Sequence, residues 1–540
     1  MAFVGLRLAC ALAAGGCFAA AWQIRAVTAP EGTFHSFLSL AAFIASSAAG
    51  LTALGGMIAP ASWWRRLASV GERVLVSLRA VTVPAGGPVA FGVTVLAIAA
   101  FIVLLTMLLP RQAIEAASDQ AAFLDLARQV RDTGGPAGLL ADLFDGLWPE
   151  ANRHPLYVVL LSFRPTFRGG KWLSAAVGTI GLVVLTAGVH RKFGGMTAAV
   201  FATLLATNSM FCRFSTLVVA DGLVIVLSGL VWLTVTEKGP GPARTVLCGV
   251  LLGLLYLAKG TGLILLFGFV IWQIVSAVAR SRQPTGRGPW ALMRAALAVA
   301  LVLLTWAMIA SPLLVRNVQR FGSPTYNVNT FLLFADEYTD PVQLAAEKKT
   351  VANAVSDYLA SHSAGSMLRR FGEGLVWETF ILLRSLGPVP LDDARFLFGL
   401  VIALLAAVGM LAERRRDAGL VIVWLALLVP LFGWYVPIAA GERFLAPLLV
   451  PTLAYAACGA VRVVHVICHS EWMARRAVLA GCIAWLLTWS GVTLTLLLSA
   501  SPQAAELANR SHRVATQSDA SNNGVPSNRT MSNRMNNGLE

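Results

Sequence analysis

Runs of about 20 apolar residues recur along the whole chain, each long enough to cross a hydrocarbon core about 30 Å thick. The stretch from Pro88 to Leu109 is one such run and carries no charged side chain. A chain so patterned can fold only as packed helices in a membrane, because continuous apolar runs do not match the short alternating strands of an outer-membrane barrel. Composition agrees: 57% of the 540 residues are hydrophobic and 13% are charged, about half the charge of a soluble protein. The predicted fold is an all-α polytopic membrane protein.

Thirteen spans are predicted, near 3–23, 36–59, 88–110, 172–189, 196–211, 215–235, 245–258, 260–278, 295–315, 395–412, 419–438, 444–465 and 477–499. The seventh and eighth are parted only by Lys259-Gly260. The first twenty residues also resemble a signal peptide, with Arg7 ahead of an apolar, Ala-rich stretch; an uncleaved first span is preferred. The net charge of +15 is not a nucleic-acid footprint. Arg65, Arg66, Arg73 and Arg79, then Arg191 and Lys192, then Lys238 and Arg244 fall on every second loop. Arg280 to Arg294, Arg414 to Arg416 and Arg462 to Arg476 continue that alternation, which makes those loops cytoplasmic. The N-terminus is then cytoplasmic and the C-terminus outside, periplasmic in a bacterial inner membrane.

The outer side receives two long loops, 111–171 and 316–394, with amphipathic juxtamembrane helices, and a polar tail at 500–540 expected to be disordered. Seven of the 27 acidic residues lie in the first loop and nine in the second, so chemistry is expected outside the cytoplasm. The chain divides into an N-terminal two-span hairpin with its basic loop (1–87), a transmembrane core (88–465), a last span (466–499) and the tail. The seven cysteines fall mostly in apolar runs with no CxxC pair and read as small buried hydrophobes. No GxxxxGK[ST] loop stands in a strand-to-helix context, so no cytoplasmic nucleotide site is visible.

Within the first loop, ASDQAAFLDLARQV (117–130) puts Phe123, Leu126, Ala127 and Val130 at helical spacing. Such a helix is expected along the membrane surface, apolar side down. Asp119 at its start is either an N-cap, with Ser118 as a rival, or a reagent. In WPEANRHPLYVVLLS (148–162), His154 could hydrogen-bond a phosphate or sugar hydroxyl, or anchor the turn. Trp148 could stack on a sugar or sit in the aromatic belt. The segment 156–162 is too short to span and is expected to dip into the interface.

Three cations, Lys259, Arg316 and Arg443, fall at outer ends of spans against the positive-inside pattern. They either snorkel to headgroups or form a site for an anionic phosphate. Asp221, inside a span, is expected to pair with Arg213 or another outer cation rather than to do chemistry.

In this order the motifs resemble the C-type membrane glycosyltransferases, in particular the protein O-mannosyltransferase and lipid A aminoarabinose transferase group. Asp119-Gln120-Ala121-Ala122-Phe123 is similar to the family's acidic element past a span, with Gln120 for Glu and Phe123 for Tyr. HPLY at His154–Tyr157 resembles its HPP element, and LAKGTGLILL its Lys-bearing hairpin. SPLLVRNVQRFGSP resembles its Arg-Asn element, with Leu313 where Trp is common, and GERFLAPLLVPTLAY its Arg-Tyr-x-x-Pro segment, with Phe444 for Tyr. The match runs from about 88 to 465.

The resemblance implies inverting transfer of a monosaccharide from a polyprenyl-phosphate donor to an acceptor hydroxyl on the outer face. Asp119 would be the base, with His154, Lys259, Arg316 and Arg443 as lipid-phosphate ligands. Trp148 and Tyr157 would touch sugar or acceptor. The acceptor would be an envelope glycan, lipid or protein, and no nucleic-acid partner is expected. Some relatives bind a divalent metal, which stays open here; the sequence shows no paired-carboxylate ligand set to support one, and no cofactor is evident. The competing expectations are a flippase or transporter for lipid-linked sugars, which would show internal repeats, and a non-catalytic assembly subunit with a degenerate site.

Overall fold

A computed structural model describes residues 61–81, 86–111, 116, 118–235, 241–281, 288–338, 344, 350–389, 395–413 and 416–499. The expected spans near 3–23 and 36–59, Glu115 and the tail lie outside the described residues. The chain through Ser490 forms one compact unit; of the second unit, from Gly491, the end of the last helix is described.

Among the described residues the only regular elements are helices. In chain order they are α1 (Ala61–Ala80), α2 (Gly87–Leu108), α3 (Asp119–Asp132), α4 (Gly135–Phe144), α5 (Pro155–Ser162), α6 (Phe167–Phe193) and α7 (Gly195–Ala206). Then come α8 (Ser209–Phe214), α9 (Asp221–Thr234), α10 (Pro242–Ala258), α11 (Thr261–Ser281), α12 (Gly288–Phe321) and α13 (Asn329–Leu332). The chain continues with α14 (Val351–Ser361), α15 (Ala364–Ser385), α16 (Arg395–Glu413), α17 (Arg416–Tyr435), α18 (Leu449–Cys468) and α19 (Glu471–Ser499).

Eight of the described helices are long and apolar enough to cross a membrane. They match eight of the predicted spans, including the one after Lys259-Gly260 but not the one before it. The count of thirteen is not confirmed. The expected spans 196–211, 215–235 and 245–258 are instead helices of 12, 14 and 17 residues. At 1.5 Å per residue the first two reach only about 18 and 21 Å. The causes are local. Asn208 ends the first by capping α8, its Oδ1 accepting from the Phe211 N–H at 2.9 Å. Asp221 opens α9 six residues later than hydropathy suggests.

These short helices survive because neighbours enclose them. α7 packs against α2, α6 and α18, and α9 against α6, α10 and α18. α18 is the centre: an 18-residue stretch within Ala446–Cys468 is 83% buried. It meets α16 where two glycines face each other. A Cβ on Gly409 would lie 2.0 Å from the Tyr455 carbonyl oxygen, and one on Gly459 would lie 2.0 Å from that of Leu405. Backbones this close are a membrane-helix packing device, since lipid supplies no hydrophobic drive between helices.

The loop 111–171 departs from the expected surface helix. α3 spans Asp119–Asp132 and buries Phe123, Leu124, Ala127 and Val130, but α4 and α5 cover that side. α5 likewise packs on α3 and α10 rather than lying free, and buries Tyr157, Val158 and Leu161. Both apolar faces thus serve a protein core instead of the lipid interface, and they fix the start of α3 beside the turn after α10.

Candidate functional site

Asp119 is the first residue of α3, where the helix dipole favours an anion. Neither Ser118 nor Asp119 is used as a side-chain cap. Ser118 takes the N-cap position with φ +52° and makes no capping hydrogen bond. The Asp119 carboxylate is spent elsewhere: Oδ1 accepts from Arg153 Nη2 at 2.9 Å and Oδ2 from Arg443 Nη1 at 2.7 Å. Burial raises its proton affinity, but the hydrogen bonds and charges of Arg443 and Arg153 outweigh that and hold its carboxyl below the usual value.

Arg443 reaches Asp119 from a 3-10 turn, Glu442–Phe444. The neighbouring Glu442 fixes that turn: its buried carboxylate accepts from Arg384 Nε at 3.1 Å and from Arg395 Nη2. The other Arg443 nitrogen, Nη2, lies 3.5 Å from Asp221 Oδ2. Lys259, between α10 and α11, donates to Asp221 Oδ1 at 2.5 Å. The expected pairing of Asp221 with an outer cation is therefore made with Lys259 and Arg443, while Arg213 is exposed. Gln120 ties the arrangement together by accepting from the Val218 N–H at 3.0 Å, three residues before Asp221.

His154 is buried at the N-cap of α5, with Nδ1 2.5 Å from the Tyr256 carbonyl oxygen. A carbonyl only accepts, so Nδ1 carries the proton and Nε2 of the neutral ring is left as an acceptor. Burial, aided by the charges of Arg316 and Lys259, pushes its pKa down to about 4 against the Tyr256 hydrogen bond. A Cβ on Gly260 would lie 3.4 Å from Nε2 and 2.3 Å from Asn327 Nδ2, so glycine lets the ring and the amide share this part of the wall.

These groups line one cavity of about 390 Å³. Arg153, Lys259 and Arg443, paired directly with Asp119 and Asp221, all line it, so three cations meet two carboxylates. A different wall is apolar: Leu263 and Ile264 from α11, Leu431 and Phe432 from α17, and Phe444, whose ring stacks on Phe432 at 4.7 Å. A third side presents amides. Asn329 Nδ2 donates to Asn152 Oδ1 at 2.8 Å, with Asn327 beside them.

The structure thus brings together Asp119, His154, Lys259 and Arg443. It does not bring Arg316, Trp148 or Tyr157 to the cavity wall. Arg316 donates to the Glu150 carbonyl oxygen at 2.7 Å, between the rings of Trp148 and Phe321, each 5.1 Å away. Tyr157 is buried with its hydroxyl 2.8 Å from Ser174 Oγ. Sequence reasoning missed Arg153 and left Asp221 without a part in the site. The signal for Arg153 was its place beside His154 in the loop expected on the same side as Lys259 and Arg443.

The donor set does not suit a divalent cation. Every carboxylate oxygen of Asp119 and Asp221 lies within 3.5 Å of an arginine or lysine nitrogen, so the negative charge a hard cation needs is already matched. Among the described residues no group of three or more His, Cys, Asp or Glu side chains is placed to hold a metal.

No protein-family model and no curated protein matches the chain. Solved structures similar to it include the oligosaccharyltransferase AglB from Archaeoglobus fulgidus in complex with an inhibitory peptide and a dolichol-phosphate. That likeness has 14% identity and a TM-score of 0.45, and covers 76% of this chain and 55% of the archaeal one. Another is ArnT from Cupriavidus metallidurans bound to undecaprenyl phosphate, with 15% identity, a TM-score of 0.46, and coverage of 75% and 76%. The chain spans just over half the length of the archaeal protein it resembles, 55%.

Proposed function

We propose that this chain is a multi-pass membrane glycosyltransferase that moves a monosaccharide from a polyprenyl-phosphate donor to an acceptor hydroxyl. One observation carries this: a single cavity joins a three-cation, two-carboxylate end to an apolar wall between two membrane-spanning helices. A lipid phosphate has those two halves. Its phosphate matches the surplus positive charge, and its apolar chain matches the wall formed by Leu263, Ile264, Leu431 and Phe432.

In the reaction the acceptor oxygen attacks the anomeric carbon from the face opposite the phosphate, which inverts it. The bond from that carbon to the phosphate oxygen breaks, and the electron pair stays on the phosphate. The hydroxyl proton goes to Asp119. Lys259 and Arg443 hold the charge that develops on the leaving oxygen. A carboxylate gripped by two guanidiniums is a weak base, so the donor has a second task. Its phosphate competes for Arg443, whose side chain is 38% exposed, and a released Asp119 regains proton affinity. His154, a neutral acceptor, suits a sugar or acceptor hydroxyl better than a phosphate. The reaction is assigned to the extracytoplasmic face of a bacterial inner membrane, following the expected alternation of basic loops.

The test is donor turnover by purified protein in lipid, using a radiolabelled polyprenyl-phosphate sugar. Asp119→Asn should cut release of free polyprenyl phosphate by about 10²–10⁴-fold at unchanged expression. Equal release by the variant and the wild type would remove the base from the mechanism.

A further inference from the structure

A second cavity, of about 420 Å³, lies beside the first. The same two chain segments contribute to both. Leu333 and Tyr338 line the first while Asp336 lines the second; Tyr435 and Ala439 line the first while Val436 and Pro437 line the second. One long side of the second cavity is a stripe of α15: Ser366, Arg369, Arg370, Glu373, Gly374 and Trp377. The helix can approach so closely because Gly374 has no side chain. A Cβ there would lie 1.8 Å from the Gly433 carbonyl oxygen on α17.

The chemistry of this second wall differs from that of the first. Its two arginines are matched by two carboxylates, Asp336 and Glu373, so it has no surplus charge to offer an anion. Arg370 is also committed. It donates to the carbonyl oxygens of Trp434 at 3.1 Å and Ala335 at 2.9 Å, and to the Tyr358 hydroxyl at 3.0 Å. What remains available is a mixture of planar donors and acceptors with aromatic surface. Asp336 is 63% exposed and 3.2 Å from His362 Nε2. The His362 ring stacks on Tyr358 at 4.0 Å. Arg369 is exposed, and the Trp377 indole is 48% exposed.

Fixed planar polar groups around an aromatic face are what a polyhydroxylated ring needs: hydroxyls bridge donor and acceptor side chains while the C–H face lies on a ring. We infer that the second cavity binds a neutral saccharide and holds the acceptor glycan, with its reacting hydroxyl directed past those two segments toward Asp119. This rests on the first cavity being the transfer site. It narrows the acceptor from any hydroxyl to one carried by a sugar.

The test uses the full chain in lipid nanodiscs on a multivalent array of neutral and phosphorylated oligosaccharides, where display in many copies makes weak contacts readable. Neutral glycans should be retained, and Trp377→Ala or Arg369→Gln should lower that retention at least tenfold without altering binding of undecaprenyl phosphate. Both side chains are exposed, so neither change threatens folding. The inference is overturned if no glycan is retained, if only phosphorylated glycans are, or if the Trp377→Ala protein retains glycans like the wild type; the last outcome would make Trp377 an interfacial anchor. Undecaprenyl-phosphate binding reads the first cavity separately. Glycan retention without it would overturn the transferase and leave a saccharide site, whereas lipid binding without glycan retention would overturn the saccharide site alone.

Discussion

Two clusters of buried charge stand at the two ends of α9, and they are made of the same kinds of residue. At its start, Asp221 meets Lys259 and Arg443 beside Phe444. At its end, Lys192 donates to the Val235 carbonyl oxygen and pairs with Asp417 at 2.9 Å, over the ring of Trp232. Tyr455 donates to the same Asp417 oxygen at 2.8 Å, and nearby Arg462 pairs with Glu413. The difference is access. Side chains at the far end are 0–10% exposed; at the near end Asp221 is 1% exposed, but Lys259 is 19%, Asp119 33% and Arg443 38% exposed around a cavity. A sealed pair can only hold helices together. An open one can exchange its partner for a ligand, and that exchange is what a phosphate-releasing reaction requires.

The largest expected effect comes from breaking the sealed end. Lys192→Met leaves Asp417 buried beside no lysine and should cost about 3–5 kcal/mol of stability, read as a lower unfolding midpoint, with turnover per folded molecule unchanged. Adding Asp417→Leu should recover most of the loss, because a buried pair replaced by apolar groups is close to neutral. At the open end the pattern should invert. Arg443→Ala should lower donor turnover about 10²–10³-fold with an unfolding midpoint near that of the wild type. A stability loss at Arg443 as large as that at Lys192 would erase the distinction between the ends.

Acidification sharpens the comparison with a smaller effect. His154 has its pKa lowered from 6.5 to about 4, so the unfolded chain binds its proton first. Its contribution to stability is present above pH 6.5 and is lost as pH falls toward 4. Asp119, also lowered, keeps its contribution above its ordinary value of 3.8 and loses it only below. Turnover should therefore be level between about pH 5 and 8 and fall below that as His154 takes up a proton. A midpoint near 6.5 in the turnover profile would mean that the ring is solvated rather than buried.

Much of this was legible in the sequence, for identifiable reasons. Apolar runs define the long helices because nothing else satisfies a backbone in lipid. Lys259 and Arg443 stood out because a cation at an outer span end is costly. Arg316 gave the same signal yet turns to the Glu150 backbone between Trp148 and Phe321. Side-chain direction is set by packing that one sequence does not encode locally. The same limit hid Arg153, whose role depends on a contact with Asp119 34 residues away. It also kept α7 and α9 from being seen as short, since an enclosed helix and a spanning helix are equally apolar.

The most direct measurement follows the label of a radiolabelled polyprenyl-phosphate sugar supplied to sealed vesicles containing the protein, with a glycan acceptor on the side that corresponds to the cavity. The account predicts labelled acceptor on that side and an equal quantity of free polyprenyl phosphate. Intact labelled lipid in the opposite leaflet, with no free polyprenyl phosphate, would contradict it and identify a flippase.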